Sequence, residues 1–190
     1  MQDPIDQLLA EHREIMAEVE ALRRAVDDLR ARGEVALPAA VPALASVGRM
    51  MATRLLRHAR KEDEALFPAI ERMLGMPAGP LGASAGPTAV MREEHRVIHE
   101  RSRRFRETLR ELNEVEHPAI VAGGARLRSL AGAGTDAATL AEIGETIVAL
   151  LDLHFSKEED ILFPMAREIL SRDALRTVAE RMAAIEAEPA

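Results

Sequence analysis

The feature that most constrains this chain is where its histidines and two of its glutamates fall, which is inside apolar stripes of helical period. The first stripe is Ile5, Leu8, Leu9, Ile15, Val19, Leu22, Val26 and Leu29, and His12 continues its row. The second, Val41, Leu44, Val47, Met51, Leu55, Leu66, Ile70 and Met73, takes in His58 and Glu62. The third, Met91, Ile98, Phe105, Leu109 and Leu112, takes in His95 and His99. The fourth, Leu140, Ile143, Ile147, Leu150, Leu151, Ile161, Leu162, Met165 and Ile169, takes in His154 and Glu158. Five of the six histidines therefore stand at core positions, and Glu62 and Glu158 each follow their histidine by one helical turn. A lone core imidazole is usually just hydrogen-bonded, but an unpaired buried carboxylate is very costly. A cluster of this kind has to be satisfied as a whole.

Turn and cap residues set the lengths of the helices. Asp3-Pro4 reads as N-cap and first helical residue, and Gly33 stops the first helix. Pro38 or Pro42 opens the second, which closes at Gly75 before a loop over 75–87 rich in Gly and Pro. The third ends near Glu114, ahead of His117-Pro118. An insertion covers 115–136, in which 118–133 reads as a short extra helix or a loop. The fourth starts after Asp136, and Ser171 caps a short final helix over 172–187. With four phenylalanines and no Tyr or Trp, the chain lacks the residues that pack β-sheets. The expectation is an all-α, single-domain, up-down-up-down four-helix bundle over about residues 3–170, followed by a C-terminal helix.

Composition narrows the function classes. The formal charge of −7 argues against binding nucleic acid, which needs a concentrated basic surface. Arg101, Arg103, Arg104, Arg106 and Arg110 crowd one segment, but Glu100, Glu107 and Glu111 interleave with them as on a solvated helix face. No cysteine is present, so thiolate ligands, iron–sulfur clusters and thiol redox chemistry are excluded. No leader-like start is visible, and no uninterrupted apolar run reaches the roughly 18 residues of a membrane span. A cytoplasmic protein with neither a membrane nor a nucleic-acid partner is expected. His117, outside every stripe, reads as a loop residue.

Metal ions satisfy the seven core polar groups at once. A structural zinc takes about four protein ligands and a catalytic one about three, whereas seven candidates that include two carboxylates suit a pair of cations sharing those carboxylates. Imidazole suits Zn, Cu, Fe and Ni, and carboxylate-linked pairs in helix bundles favour iron, with Mn or Zn as alternatives.

The chain also repeats itself. E-H-R-E-I at 11–15 recurs as E-H-R-V-I at 94–98, and H-A-R-K-E-D-E-A-L-F-P at 58–68 recurs as H-F-S-K-E-E-D-I-L-F-P at 154–164. Pro68 and Pro164 correspond, and each should kink or loosen its helix. The repeat breaks at one ligand, because the position equivalent to His99 is Met16. One metal then has three histidines and the other two, which leaves a vacant position for a small diatomic molecule or peroxide.

A His on helix one, H-x-x-x-E on helix two, H-x-x-x-H on helix three and a His followed by a carboxylate on helix four resemble the hemerythrin-like family, over about residues 3–170. The resemblance implies one iron on His95, His99 and His154, another on His12 and His58, and Glu62 and Glu158 as bridges. Animal oxygen carriers of this family place an Asp five residues after the helix-four His. This chain has Glu158 at four, as bacterial and regulatory relatives do. Two function classes follow, a binding or sensing module for O2 or NO and an enzyme acting on peroxide or another oxidant. A tyrosyl radical is excluded because Tyr is absent. Relatives that repair or supply iron–sulfur centres form a further alternative, but they usually add a cysteine-bearing region that is missing here.

Overall fold

A computed structural model describes residues 3–74, 87–111 and 136–188. Almost all of them are helical, and no strand occurs among them. Helix α1 spans Pro4–Arg32; its N-terminus is capped by the Asp3 carboxylate, which accepts from the Ile5 amide at 2.8 Å. It ends where Gly33 takes a φ of +57°, a conformation open to glycine at little cost. After a 3-10 turn over Gly33–Ala36 the chain continues as α2 (Leu37–Met50), a π turn (Met51–Leu55), α3 (Leu56–Lys61), a π turn (Glu62–Leu66) and α4 (Phe67–Met73). Pro38 lies in the first turn of α2, so Pro42 falls inside that helix and does not open it.

Helix α5 covers Pro87–Glu111. Helix α6 (Ala137–Lys157) leads into a π turn (Glu158–Leu162) and α7 (Phe163–Ile169). Extended backbone at Leu170 ends α7, and the Ser171 hydroxyl caps α8 (Arg172–Glu186) by accepting from the Ala174 amide at 3.2 Å. The expected insertion at 115–136 and His117 lie outside the described residues, apart from Asp136, as does most of the 75–87 loop.

The loosening expected at Pro68 and Pro164 takes the form of the two later π turns. The Phe67 and Phe163 amides donate to the carbonyls of Glu62 and Glu158, five residues back, which widens the helix just where a proline ring would otherwise press on the preceding turn. The extra residue rotates the following side chains. Ile161, expected in the core, is 61% exposed, and Leu162 takes the buried place; Met73, also expected inside, is 48% exposed at the end of α4.

Packing divides the chain into two compact units. The first comprises Met1–Met16, Thr53–His99 and Leu151–Ala190, and its core gathers Ile5, Leu8, Leu66, Phe67, Ile70, Met91, Phe163 and Met182, with Val178 joining from α8. The second comprises Ala17–Ala52 and Glu100–Leu150. There α1 and α6 approach closely, since a Cβ on Gly144 would meet Val26 at 2.5 Å, and Arg30 grips Glu145 at 2.6 and 2.7 Å. The helical run Pro4–Met73 includes a window long and apolar enough to cross a membrane, with 50% of that window buried.

Candidate metal centre

Six of the seven residues singled out from the sequence come together in the first unit. His12 comes from α1, His58 from α3, His95 from α5 and His154 from α6, while Glu62 and Glu158 each open a π turn. All six are at least 97% buried. Their donor atoms form two overlapping groups, His12, His58, Glu62, Glu158 and Glu62, His95, His154, Glu158, each with atoms within 4.8 Å of one another. The two carboxylates belong to both groups. His99 lies one turn beyond His95 on α5, and its side chain is outside the described residues.

The imidazoles turn their Nε2 atoms inward. His95 Nε2 lies 3.2 Å from Glu62 and 3.6 Å from Glu158, His154 Nε2 lies 3.2 Å from Glu158, His12 Nε2 lies 3.3 Å from Glu158, and His58 Nε2 lies 3.5 Å from Glu62. None of the four oxygens of Glu62 and Glu158 accepts a hydrogen bond from the described residues. Buried carboxylate oxygens with no hydrogen-bond donor among the described residues, and with inward-facing imidazole nitrogens around them, are a donor set that cations fit.

Outside this cluster a ring of carboxylates fixes the imidazoles. Nδ1 of His12 donates to Glu159 at 2.8 Å, Nδ1 of His58 to Glu11 at 3.0 Å, Nδ1 of His95 to Asp63 at 3.2 Å and Nδ1 of His154 to Glu94 at 3.0 Å. An ionised carboxylate only accepts, so each Nδ1 carries the proton and the Nε2 lone pair is left for a ligand. The pattern follows the sequence repeat. The acid before each early histidine (Glu11, Glu94) orients the histidine of the following helix, and the acid after each buried glutamate (Asp63, Glu159) orients an early histidine. Lysines complete it, since Lys61 donates to Glu11 Oε1 at 2.7 Å and Lys157 pairs with Glu94 Oε1.

Sequence periodicity does not mark these outer residues, because each lies beside a core position and not on one. The signal lies in the repeat itself, where E-H recurs at 11–12 and 94–95 and K-E-[DE] at 61–63 and 157–159. Phenylalanines follow the same plan: Phe67 stacks near His95 at 5.8 Å and Phe163 near His12 at 5.3 Å between ring centroids. One ring breaks it. Phe155 stacks on His12 at 4.0 Å, and its repeat counterpart is Ala59.

Burial and the facing charges act in opposite directions on His12, His95 and Glu158. Burial pushes the His12 imidazole down, but Glu158, Glu62 and Glu159 outweigh it and raise it above its ordinary 6.5. His95 follows the same balance with Asp63, Glu158 and Glu62, and ends well above 6.5. Burial pushes Glu158 up, yet the facing imidazoles of His12 and His95 bring it well below the carboxylate range. Glu11, raised by burial, is brought down to about 2 by His58 and Lys61. His12 Nε2 and His58 Nε2 lie 2.9 Å apart, so the two imidazoles converge on one point.

A helical domain whose core carries a buried cluster of imidazoles and carboxylates, held from outside by acids, defines a cation-binding class. The family profile "Hemerythrin HHE cation binding domain" matches this sequence in two stretches, residues 3–116 and 111–188. The chain belongs to the hemerythrin HHE cation-binding family. No curated protein matches it.

Proposed function

We propose that this domain holds two iron ions within an antiparallel four-helix bundle, one on His12 and His58 and the other on His95, His99 and His154, with Glu62 and Glu158 shared between them. The observation that carries this reading is the sharing itself: two groups of buried donors overlap in the same two carboxylates, whose four oxygens receive no hydrogen bond from the described residues. Imidazole with carboxylate suits iron, and carboxylate-linked pairs in helix bundles are a recurrent setting for it. Imidazole and carboxylate also bind zinc and manganese, which remain the alternative occupants that metal analysis distinguishes.

Iron held by His12 and His58, with fewer imidazoles than its neighbour, would offer a position for a small ligand such as O2 or NO. The chain's own residues do the rest. Glu11 and Glu159 hold the two imidazoles of that half, and Phe155 lies flat on His12 and adds an apolar wall beside it. Such a wall excludes water from the neighbourhood of the ligand. The alternative, an enzyme acting on peroxide or another oxidant at the same position, would have to work without a tyrosyl radical, because the chain has no Tyr.

The test is to fill the vacancy. Met16→His presents a further imidazole one turn from His12, as His99 stands to His95. The variant should keep both irons and lose the absorption bands that azide or NO produces on the parent. Undiminished azide and NO binding would show that the open position lies elsewhere.

A further inference from the structure

The two lysine–glutamate–histidine relays differ in what stands behind the lysine. Lys157 is 32% exposed and pairs with Glu94 alone among the described residues. Lys61 is 3% exposed, and its ammonium is held between Glu11 and a second carboxylate, that of Glu186 near the end of α8. Around that contact α8 is fastened to the segment bearing His58 and Glu62. Arg57 donates to Glu186 at 3.1 Å, Arg60 donates to Glu64 and Glu188 at 2.8 Å each, and Arg181 also pairs with Glu64. Beneath these polar contacts Val178 and Met182 pack into the same core as Leu66 and Phe67. A polar cleft of about 460 Å³, lined by Glu11, Lys61 and Glu186 among others, brings solvent to the outer end of the relay.

A buried ammonium needs its charge answered, and a lysine stem with several rotatable bonds needs its head fixed. Glu186 does both. It holds the Lys61 ammonium from the side opposite Glu11, whose Oε1 accepts from Lys61 while its Oε2 accepts from His58 Nδ1. Residues that orient a metal-binding imidazole from outside change metal affinity by about 10–100-fold when removed. A residue one step further out should act in the same direction and more weakly.

We propose that Glu186 and Lys61 are positioning residues through which the C-terminal helix α8 tightens one of the two cation sites, the His12–His58 site, and leaves the His95–His154 site untouched. The inference rests on the two-ion reading. It makes α8 a clamp on one ion, so that a change in α8 alters the loading of half of the centre.

The experiment uses the full chain, stripped of metal and titrated anaerobically with Fe(II) against a chromogenic chelator. Glu186→Gln should weaken one of two Fe(II) sites about threefold to tenfold and Lys61→Met about tenfold or more, with the second site unchanged. Glu186→Asp should restore part of the loss. In a His154→Ala background, which retains the His12–His58 site, the Glu186→Gln effect should persist; in a His58→Ala background it should vanish. Glu186→Gln leaves the buried Lys61 ammonium with Glu11 alone, so the metal-free variant should melt below the parent; a weakening confined to one of the two sites is what a general loss of stability would not produce. Equal weakening of both sites, or Fe(II) release from Glu186→Gln and Lys61→Met as slow as from the parent, overturns the clamp. A parent that binds fewer than two Fe(II) overturns the two-ion reading instead, and so separates the two failures.

Discussion

The His12–His58 half and the His95–His154 half of the candidate centre are built from the same repeat, yet they are closed differently. Atom for atom they agree where the imidazoles are held: an acid on each Nδ1, and a lysine on the far oxygen of Glu11 and of Glu94. They disagree one step away. Lys61 is enclosed by Glu186 while Lys157 is a third exposed, Phe155 lies on His12 where the repeat offers Ala59, and Met16 stands where the other half has His99. Duplication supplies a symmetric cradle, and divergence acts on what surrounds it. On the two-ion reading proposed above, halves equally well oriented but unequally enclosed would hold both ions and react at one.

The largest expected effect abolishes the comparison altogether. Glu62→Ala removes a carboxylate common to both donor groups, so iron content should fall from two per chain to less than one. His58→Ala, by contrast, should leave about one, as elemental analysis of the two purified variants will show. Equal iron content in both variants would mean that Glu62 serves only one half.

Next in size are the carboxylates that orient the imidazoles. Glu11→Gln should weaken one Fe(II) site by about 10–100-fold, and Glu94→Gln the other, each sparing its counterpart. Calorimetric titration of Fe(II) into the metal-free proteins resolves the two. An effect confined to the same site in both variants would contradict the pairing of Glu11 with His58 and of Glu94 with His154.

The smallest effect is one of pH. In the metal-free protein His12 and His95 are raised above 6.5, so the stability they contribute is complete below pH 6.5 and is lost as pH rises through their folded values. Glu11 is lowered from 4.5 to about 2, so its contribution is complete above pH 4.5 and is lost as pH falls toward 2. The metal-free melting temperature should therefore peak between these limits and decline above neutrality. Metal ions compete with the imidazole protons, so the loaded protein should be most stable at higher pH than the metal-free form. Coincident melting profiles would indicate that the cluster's protons and cations do not share the same lone pairs.

Much of the fold and of the centre is legible in the amino-acid sequence alone. The stripes place Leu66, Ile70 and Leu162 in a core because burial follows helical period, and Glu62 and Glu158 stand out as carboxylates among them. Asp3, Gly33 and Ser171 act through local backbone chemistry and mark helix ends directly. What escapes a sequence reading depends on register and distance. A fixed helical period cannot anticipate the residue added by a π turn, so it directs Ile161 inward where the structure turns it outward. The enclosure of Lys61 by Glu186 of α8, far away in sequence, leaves no mark on helical period.

The central claim is that Glu62 and Glu158 are shared between two cations, and anaerobic Fe(II) titration of the metal-free parent tests it most directly. Saturation at two Fe(II) per chain, followed on oxidation by a spin-coupled pair silent in conventional electron paramagnetic resonance, is the predicted result. Saturation at one ion per chain, or two irons that give the signal of isolated ferric ions, would contradict it.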